Sequence, residues 1–395
     1  MLLEGKVNAL DTLPDVPSAR RARLLSTLGV GLRLKGDKGG LESIQRGLEE
    51  AEGLGDQGAF FQARVTLQFW HFLLGEFAES IRVADETLLM MEDSSDQSMR
   101  SQMLGVRSMW LPFVGRMKEA PAAAQQAQAL ARERGDIGAE LTGFMGELIV
   151  ALMRSGDGRQ LEILGREGAE RFPEAGPWVE YLRAYAAIGL FWQGDLPEAL
   201  RLLDQVADAV EEESFQAYPR AWRFKVAAYA SRADAFDRFE ALRPELFRRG
   251  VAAWPGSVPA LHSAIEGLAV LGQRDLAASL YLDATESLEL ETLTWVDGLF
   301  ACSTGIAAAC GEEWEAVEEY FGTALRQADE LPHVMAQFDT RRWWAWMLLR
   351  RDASGDRMRA GELLEEAIAG YQKLEAPLFE RIATEMLGQV LREGG

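Results

Sequence analysis

Apolar residues recur along this chain with the three-to-four-residue spacing of helices that bury one face. Over residues 179–213 a first helix sets Arg183, Ala186, Ala187 and Leu190 on one stripe. Gly194-Asp195 breaks it: glycine takes the backbone angles needed at a helix end, and Asp195 caps the next helix. Pro197 then falls in a first helical turn, where its missing N–H costs nothing. Ala199, Leu203 and Val206 form the inner face of the second helix. Residues 258–290 repeat the scheme with Leu261, Ala264, Leu268, Gly272, Ala277, Tyr281 and Ala284. Residues 297–330 do so with Phe300, Ala307, Gly311, Ala316 and Tyr320. Small residues where two helices cross let the backbones approach, and larger flanking ones fill the groove.

The turn glycines are Gly36, Gly75, Gly115, Gly156, Gly194, Gly272, Gly311 and Gly355, with gaps of 39, 40, 41, 38, 78, 39 and 44 residues. The gap of 78 is two periods, so a degenerate unit turns at Ala233-Asp234, and Pro244 is expected to kink or end its second helix. Such a period means stacked repeats. The expected architecture is all-α: an elongated right-handed superhelix of nine helix-turn-helix units. Its expected organisation is a partial leading helix over 1–17, the array over 18–376, and a capping helix over 377–395 that covers the last apolar face. Residues 2–13 read as half of a unit, so one apolar side of that helix is expected to be unusually exposed.

This spacing resembles the tetratricopeptide repeat (TPR), a helix-turn-helix unit of about 34 residues. The units here are about five residues longer and often lack its large aromatic and proline. Longer units of this kind look like the C-terminal helical arrays of large bacterial signalling ATPases, including nucleotide-cyclase-associated and LuxR-type regulators. Ala9-Leu10-Asp11-Thr12-Leu13-Pro14-Asp15-Val16-Pro17-Ser18, leading into Leu24-Leu25-Ser26-Thr27-Leu28-Gly29, is similar to how those arrays begin. Gly355-Asp356-Arg357-Met358-Arg359-Ala360-Gly361-Glu362-Leu363-Leu364-Glu365-Glu366-Ala367 resembles how they end.

Charge narrows the partners. Forty-one basic residues against 62 acidic ones leave a net charge of −21, the wrong sign for phosphate neutralisation, so nucleic acid and anionic membrane are poor partners. The longest apolar stretch, residues 184–192, is far short of the roughly 20 residues of a membrane span. Residues 1–18 show no basic start, apolar run and cleavage site, and Cys302 and Cys310 sit eight positions apart, too far along one helix to be bridged. A cytoplasmic setting is expected.

Chemistry finds little support. There is no G-x-x-x-x-G-K-[ST] phosphate loop. His71, His262 and His333, the only histidines, are scattered over many repeats without metal-ligand spacing. Ser303, in Ala301-Cys302-Ser303-Thr304-Gly305, sits in a sequence like a nucleophile elbow but inside an expected helix rather than after a strand. No catalytic, cofactor-binding or metal-binding residue is assigned.

Recognition is the better reading. In a TPR superhelix the first helix of each unit lines the concave surface. Projection from the turn glycines places Phe69, Phe72, Met109, Phe113, Tyr181, Tyr185, Phe191, Trp192 and Trp344 there. Partly exposed, they would form an apolar trough; packed, they would be core between units. Residues 218–250 hold eight bases and four acids, and Arg220, Arg223, Arg238, Arg243, Arg248 and Arg249 form either a basic dock or a worn repeat whose arginines pair with flanking carboxylates. Asn8 is the only asparagine, so the carboxylate clamp that some TPR proteins build from asparagines and lysines has no material here. The expected function is a non-catalytic sensor scaffold binding a protein, peptide or small effector in its groove, the regulatory region of a bacterial signalling system. A free-standing adaptor or assembly factor, or a peptide-pheromone receptor, is the alternative.

Overall fold

A computed structural model describes residues 16–34, 39–92, 96–209, 217–251 and 256–393. Among them are twenty α-helices and one two-stranded ribbon. The helices come in pairs: α1 (Ala19–Leu34) with α2 (Gly40–Leu54), α3 (Gln57–Leu73) with α4 (Phe77–Met90), and α5 (Gln97–Trp110) with α6 (Ala120–Arg134). Then come α7 (Ile137–Ser155) with α8 (Gly158–Arg171), α9 (Pro177–Gln193) with α10 (Leu196–Ala209), and α11 (Ala217–Tyr229) with α12 (Ala235–Leu242). The seventh unit pairs α13 (Ser257–Val270) with a helix broken at Leu280 into α14 (Arg274–Ser279) and α15 (Tyr281–Ser287). Last are α16 (Phe300–Cys310) with α17 (Trp314–Glu330) and α18 (Val334–Arg351) with α19 (Asp356–Lys373), before the closing helix α20 (Pro377–Glu393).

The described residues form a TPR-like array of nine helix pairs with a C-terminal helix after them. The turn chemistry explains the register. Gly156 sits at φ 62° with its N–H on the Leu152 carbonyl, the left-handed helix end that glycine tolerates best. Asp157 then accepts from Gln160 N at 3.0 Å to start α8. At the degenerate unit Ser231 takes the left-handed residue at φ 50°, and Pro244 falls in a 3-10 turn that ends α12 after eight residues. At Gly311 the left-handed residue is its neighbour Glu312. Helices α8 and α9 nearly touch: a Cβ on Gly189 would lie 2.4 Å from the Gly158 carbonyl oxygen. Gly36 and residues 2–13 lie outside the described residues.

The array closes on itself. Turns of its first half pack on its second half, so that a Cβ at Gly115 would meet Leu293 at 3.2 Å and one at Gly156 would meet Leu374 at 3.0 Å. Phe191 of α9 meets Phe379 of α20, ring centroids 5.3 Å apart. The interior of the coil is therefore core. Among the described residues no helix is long and apolar enough to cross a membrane.

Candidate functional site

Coil closure decides where the expected trough residues sit. Phe72 stacks on Trp110 at 4.6 Å, Phe113 on Trp295 at 4.2 Å and Tyr181 on Tyr218 at 5.7 Å. Tyr185 meets Trp222 edge-on, Phe191 lies between Tyr229 and Phe379, and Trp344 packs on Phe321 under the Arg359 guanidinium. These rings, and Trp192, are buried, which corrects the expectation of partial exposure. Neighbouring units bury most of them, and Trp295 and Phe379 of the second half complete the packing around Phe113 and Phe191. Phe191→Ala is accordingly expected to lower stability by about 3–5 kcal/mol, read from the denaturant midpoint. An unchanged midpoint would put the ring outside the core.

Two of the nine line an opening. Phe69, half-buried, and Met109, buried, belong to a cleft of about 250 Å³ walled by the first helices of four consecutive units. Val65 and Phe69 come from α3, Val106, Met109 and Trp110 from α5, Leu141 and Thr142 from α7, and Trp178 from α9. Its polar residues include Gln102 and Asp136. Asp136 caps α7 through Ala139 N at 3.0 Å and also receives Gln102 Nε2 at 3.3 Å. The indole N–H of Trp110 is buried and has no hydrogen-bond partner among the described residues. An apolar pocket with a few polar groups is the usual form of a ligand site. Val65, Val106 and Trp178 were absent from the sequence expectation, although Val65 lies four residues before Phe69 and Val106 three before Met109 on the same helical stripes.

Behind the cleft lies a feature the helical period could not announce. After α15 the chain runs through a 3-10 turn (Leu288–Leu290) and Glu291, at φ 56°, into a ribbon of β1 (Thr294–Trp295) and β2 (Gly298–Leu299). The strands are antiparallel, with Thr294 opposite Leu299 and Trp295 opposite Gly298. The ribbon crosses the interior of the coil. Leu293 N donates to the Phe113 carbonyl at 2.8 Å, and Trp295 sits among Phe77, Trp110, Phe113 and Tyr218.

At the ribbon's tip, Asp297 accepts from Trp222 Nε1 at 2.9 Å, Lys225 Nζ at 3.2 Å and Ser263 Oγ at 3.4 Å. Lys225 also lies 2.6 Å from Glu266. Burial by itself would drive the Lys225 ammonium toward neutrality, but Glu266 and Asp297 outweigh that and raise its pKa. Burial likewise opposes charge on Glu266, which Lys225 and Arg342 nevertheless hold below the usual carboxylate range. Tyr229 donates to Glu266 at 2.5 Å, and Arg342 reaches Tyr371 Oη and Tyr229 Oη, both at 3.1 Å. Asp339 accepts from Tyr371 at 2.6 Å, and burial raises its pKa. The centre thus ties α11, α13, α18, α19 and the ribbon together.

His262 and Ser303 border the same centre. The imidazole stacks on Phe300 at 4.0 Å, with Nδ1 2.6 Å from Ser303 Oγ and Nε2 2.9 Å from Ser287 Oγ. Burial lowers its pKa to about 3, too weak for a general base near neutrality. The adjoining cavity is about 30 Å³, room for about one water rather than a substrate. Ser303 lies in α16, and its pairing is that of a satisfied core histidine.

The basic segment is likewise engaged. Arg220 pairs with Glu245, Arg223 with Asp204 at 2.7 Å, and Arg238 with Asp204 at 2.8 Å and Asp234 at 2.9 Å. Arg243 reaches Glu240 at 3.4 Å, Arg248 donates to the Arg243 carbonyl at 3.4 Å, and Arg249 lies 4.0 Å from Glu286. Neighbouring carboxylates and a carbonyl already take these guanidinium groups.

The paired helices and their concave cleft define a TPR-like helical-repeat protein. No family model matches the chain, and no curated protein matches it. Among solved structures it is similar to a Rap protein complexed with competence and sporulation factor, at 10% identity and a TM-score of 0.50, over 84% of this chain and 98% of that one. At that identity the likeness is one of fold.

Proposed function

We propose that the protein is a non-catalytic recognition scaffold that binds a protein or peptide segment in the cleft lined by Phe69, Val106, Met109 and Trp178. The observation that carries this is that four consecutive first helices converge on one mostly apolar cleft. A segment presenting an apolar side chain suits it. The complex with competence and sporulation factor, formed by a protein of similar fold, supports a binding role and favours the receptor alternative over an assembly factor. The finer reading, a regulatory region of a bacterial signalling ATPase, is supported by the resemblance of the segments around Leu24 and Gly355 to the ends of such arrays.

The test begins with a random peptide library selected on the intact protein. Enriched peptides are expected to lose about 30-fold or more in affinity on Val106→Arg, which fills the cleft with a charged chain, as expected for an anchor worth about 2 kcal/mol. Helical circular dichroism should be unchanged, because Val106 is half-buried at the cleft wall. Failure to enrich any peptide, or equal binding to both proteins, would contradict the proposal.

A further inference from the structure

The ribbon is held in place by its surroundings more than by its own sequence. Its strands are two residues each, and a two-stranded ribbon is marginal in water even when longer. Val296 and Asp297 form its two-residue loop, and neither has positive φ. Two-residue hairpins favour turns with φ > 0 there, usually Asn-Gly or Asp-Gly, because those match strand twist. The indole N–H of Trp295 is buried without a partner among the described residues. Beside the tip, a Cβ on Gly298 would meet nothing within 4 Å.

The seat, by contrast, is built. It offers an aromatic box of Phe77, Trp110, Phe113 and Tyr218 for a ring. Two residues further on, three donors from α11 and α13 converge on a carboxylate, one of them a buried ammonium. Two residues before the ring, the Phe113 carbonyl accepts the backbone N–H of Leu293 from the extended segment, the way a groove holds a peptide.

We propose that this seat recognises a partner segment bearing an aromatic residue and, two positions later, an acidic one, and that Trp295-Val296-Asp297 occupies it in cis as an internal ligand. Partner and ribbon compete for one place, so the resting protein is self-blocked there. The seat shares Trp110 with the cleft of α3 to α9 but is a different place, and stands independently of what binds in that cleft.

The test uses a labelled synthetic peptide with the sequence of residues 292–299 and the full-length chain. The double variant Trp295→Gly with Asp297→Gly vacates the seat. By fluorescence anisotropy the peptide should bind it at least tenfold more tightly than it binds the unaltered protein, and a peptide with lysine in place of the acid should lose that binding. Equal binding to both proteins, or to neither, would overturn the proposal. A second measurement covers a variant that fails to fold: hydrogen exchange on the unaltered protein. Amides of 292–299 should exchange through local opening, well before those of α13 and α16. Exchange of the ribbon only together with those helices would make it permanent core, and the proposal would fall.

Discussion

Lys225→Met should lower global stability by about 3–5 kcal/mol, the usual cost of removing one partner from a buried ion pair. The methionine keeps most of the side-chain volume, so the loss is electrostatic rather than a cavity. It leaves Glu266 buried with its main counter-charge gone, 13% exposed and still bonded to Tyr229. With an unfolding entropy near 2.1 cal/mol/K per residue, the melting temperature should fall by roughly 4–6 °C. A second replacement, Glu266→Gln, removes the orphaned charge while keeping an acceptor for Tyr229. The double variant should therefore recover part of what the single one loses, the non-additivity expected of a contacting pair. Additive losses would mean that the two charges act separately. An unchanged melt for Lys225→Met would mean that the ammonium is solvated rather than held in the centre.

The second large effect is with pH. Burial pushes His262 down to about 3 and His333 down to about 4, from an ordinary value near 6.5. Below pH 6.5 the unfolded chain takes up a proton at each site while the folded chain does not. Stability therefore rises with pH across this window, is complete above about 6.5, and is lost as pH falls toward 4. At pH 5 each histidine should cost about 2 kcal/mol, and the pair about 4 kcal/mol. Carboxylates held low by arginines, such as Glu119 at about 2, bring their own losses only below about pH 4.5. Asp339, with its pKa raised by burial, works in the opposite sense, so the histidines are best isolated by comparison. The variant His262→Asn with His333→Asn keeps polar side chains at both places, and asparagine is a good helix N-cap at 333, where His333 begins α18. Its stability gap to the unaltered protein should shrink by about 4 kcal/mol between pH 7.5 and pH 5. Parallel curves would show that neither imidazole is buried in the neutral form.

The repeat was legible because turn chemistry is local. Gly75, Gly115, Gly156, Gly194, Gly272 and Gly355 all take positive φ, and Ala233-Asp234 marks the worn turn between Ser231 and α12. The same projection that puts Phe69 and Tyr185 on the inner face says nothing of how far the coil closes. That closure is set by contacts such as Gly156 with Leu374 and Phe191 with Phe379, nearly 200 residues or more apart in sequence. Nor does the projection say that Tyr185 packs on Trp222 of the next unit while Phe69 is left lining a cleft.

The ribbon carried no signal. Two-residue strands are too short to show alternation, and Val-Asp is not a hairpin dipeptide. The ionic centre is likewise dispersed: Lys225 looked like one base among eight in a positive segment, and its partner Asp297 lies 72 residues away. No spacing rule joins residues brought together by four helices and a loop. The histidine–serine contact at 262 and 303 belongs to the same class, since its 41-residue separation has meaning only once α13 and α16 are packed.

Recognition through the first-helix cleft is tested most directly by hydrogen exchange on the protein with and without a peptide selected on it. Expected is new protection in α3 around Val65 and Phe69, in α5 around Gln102 and Val106, and at the start of α7 through Thr142, with little change on the second helices α4, α6 and α8. Protection confined to those second helices, with none at the cleft, would contradict it.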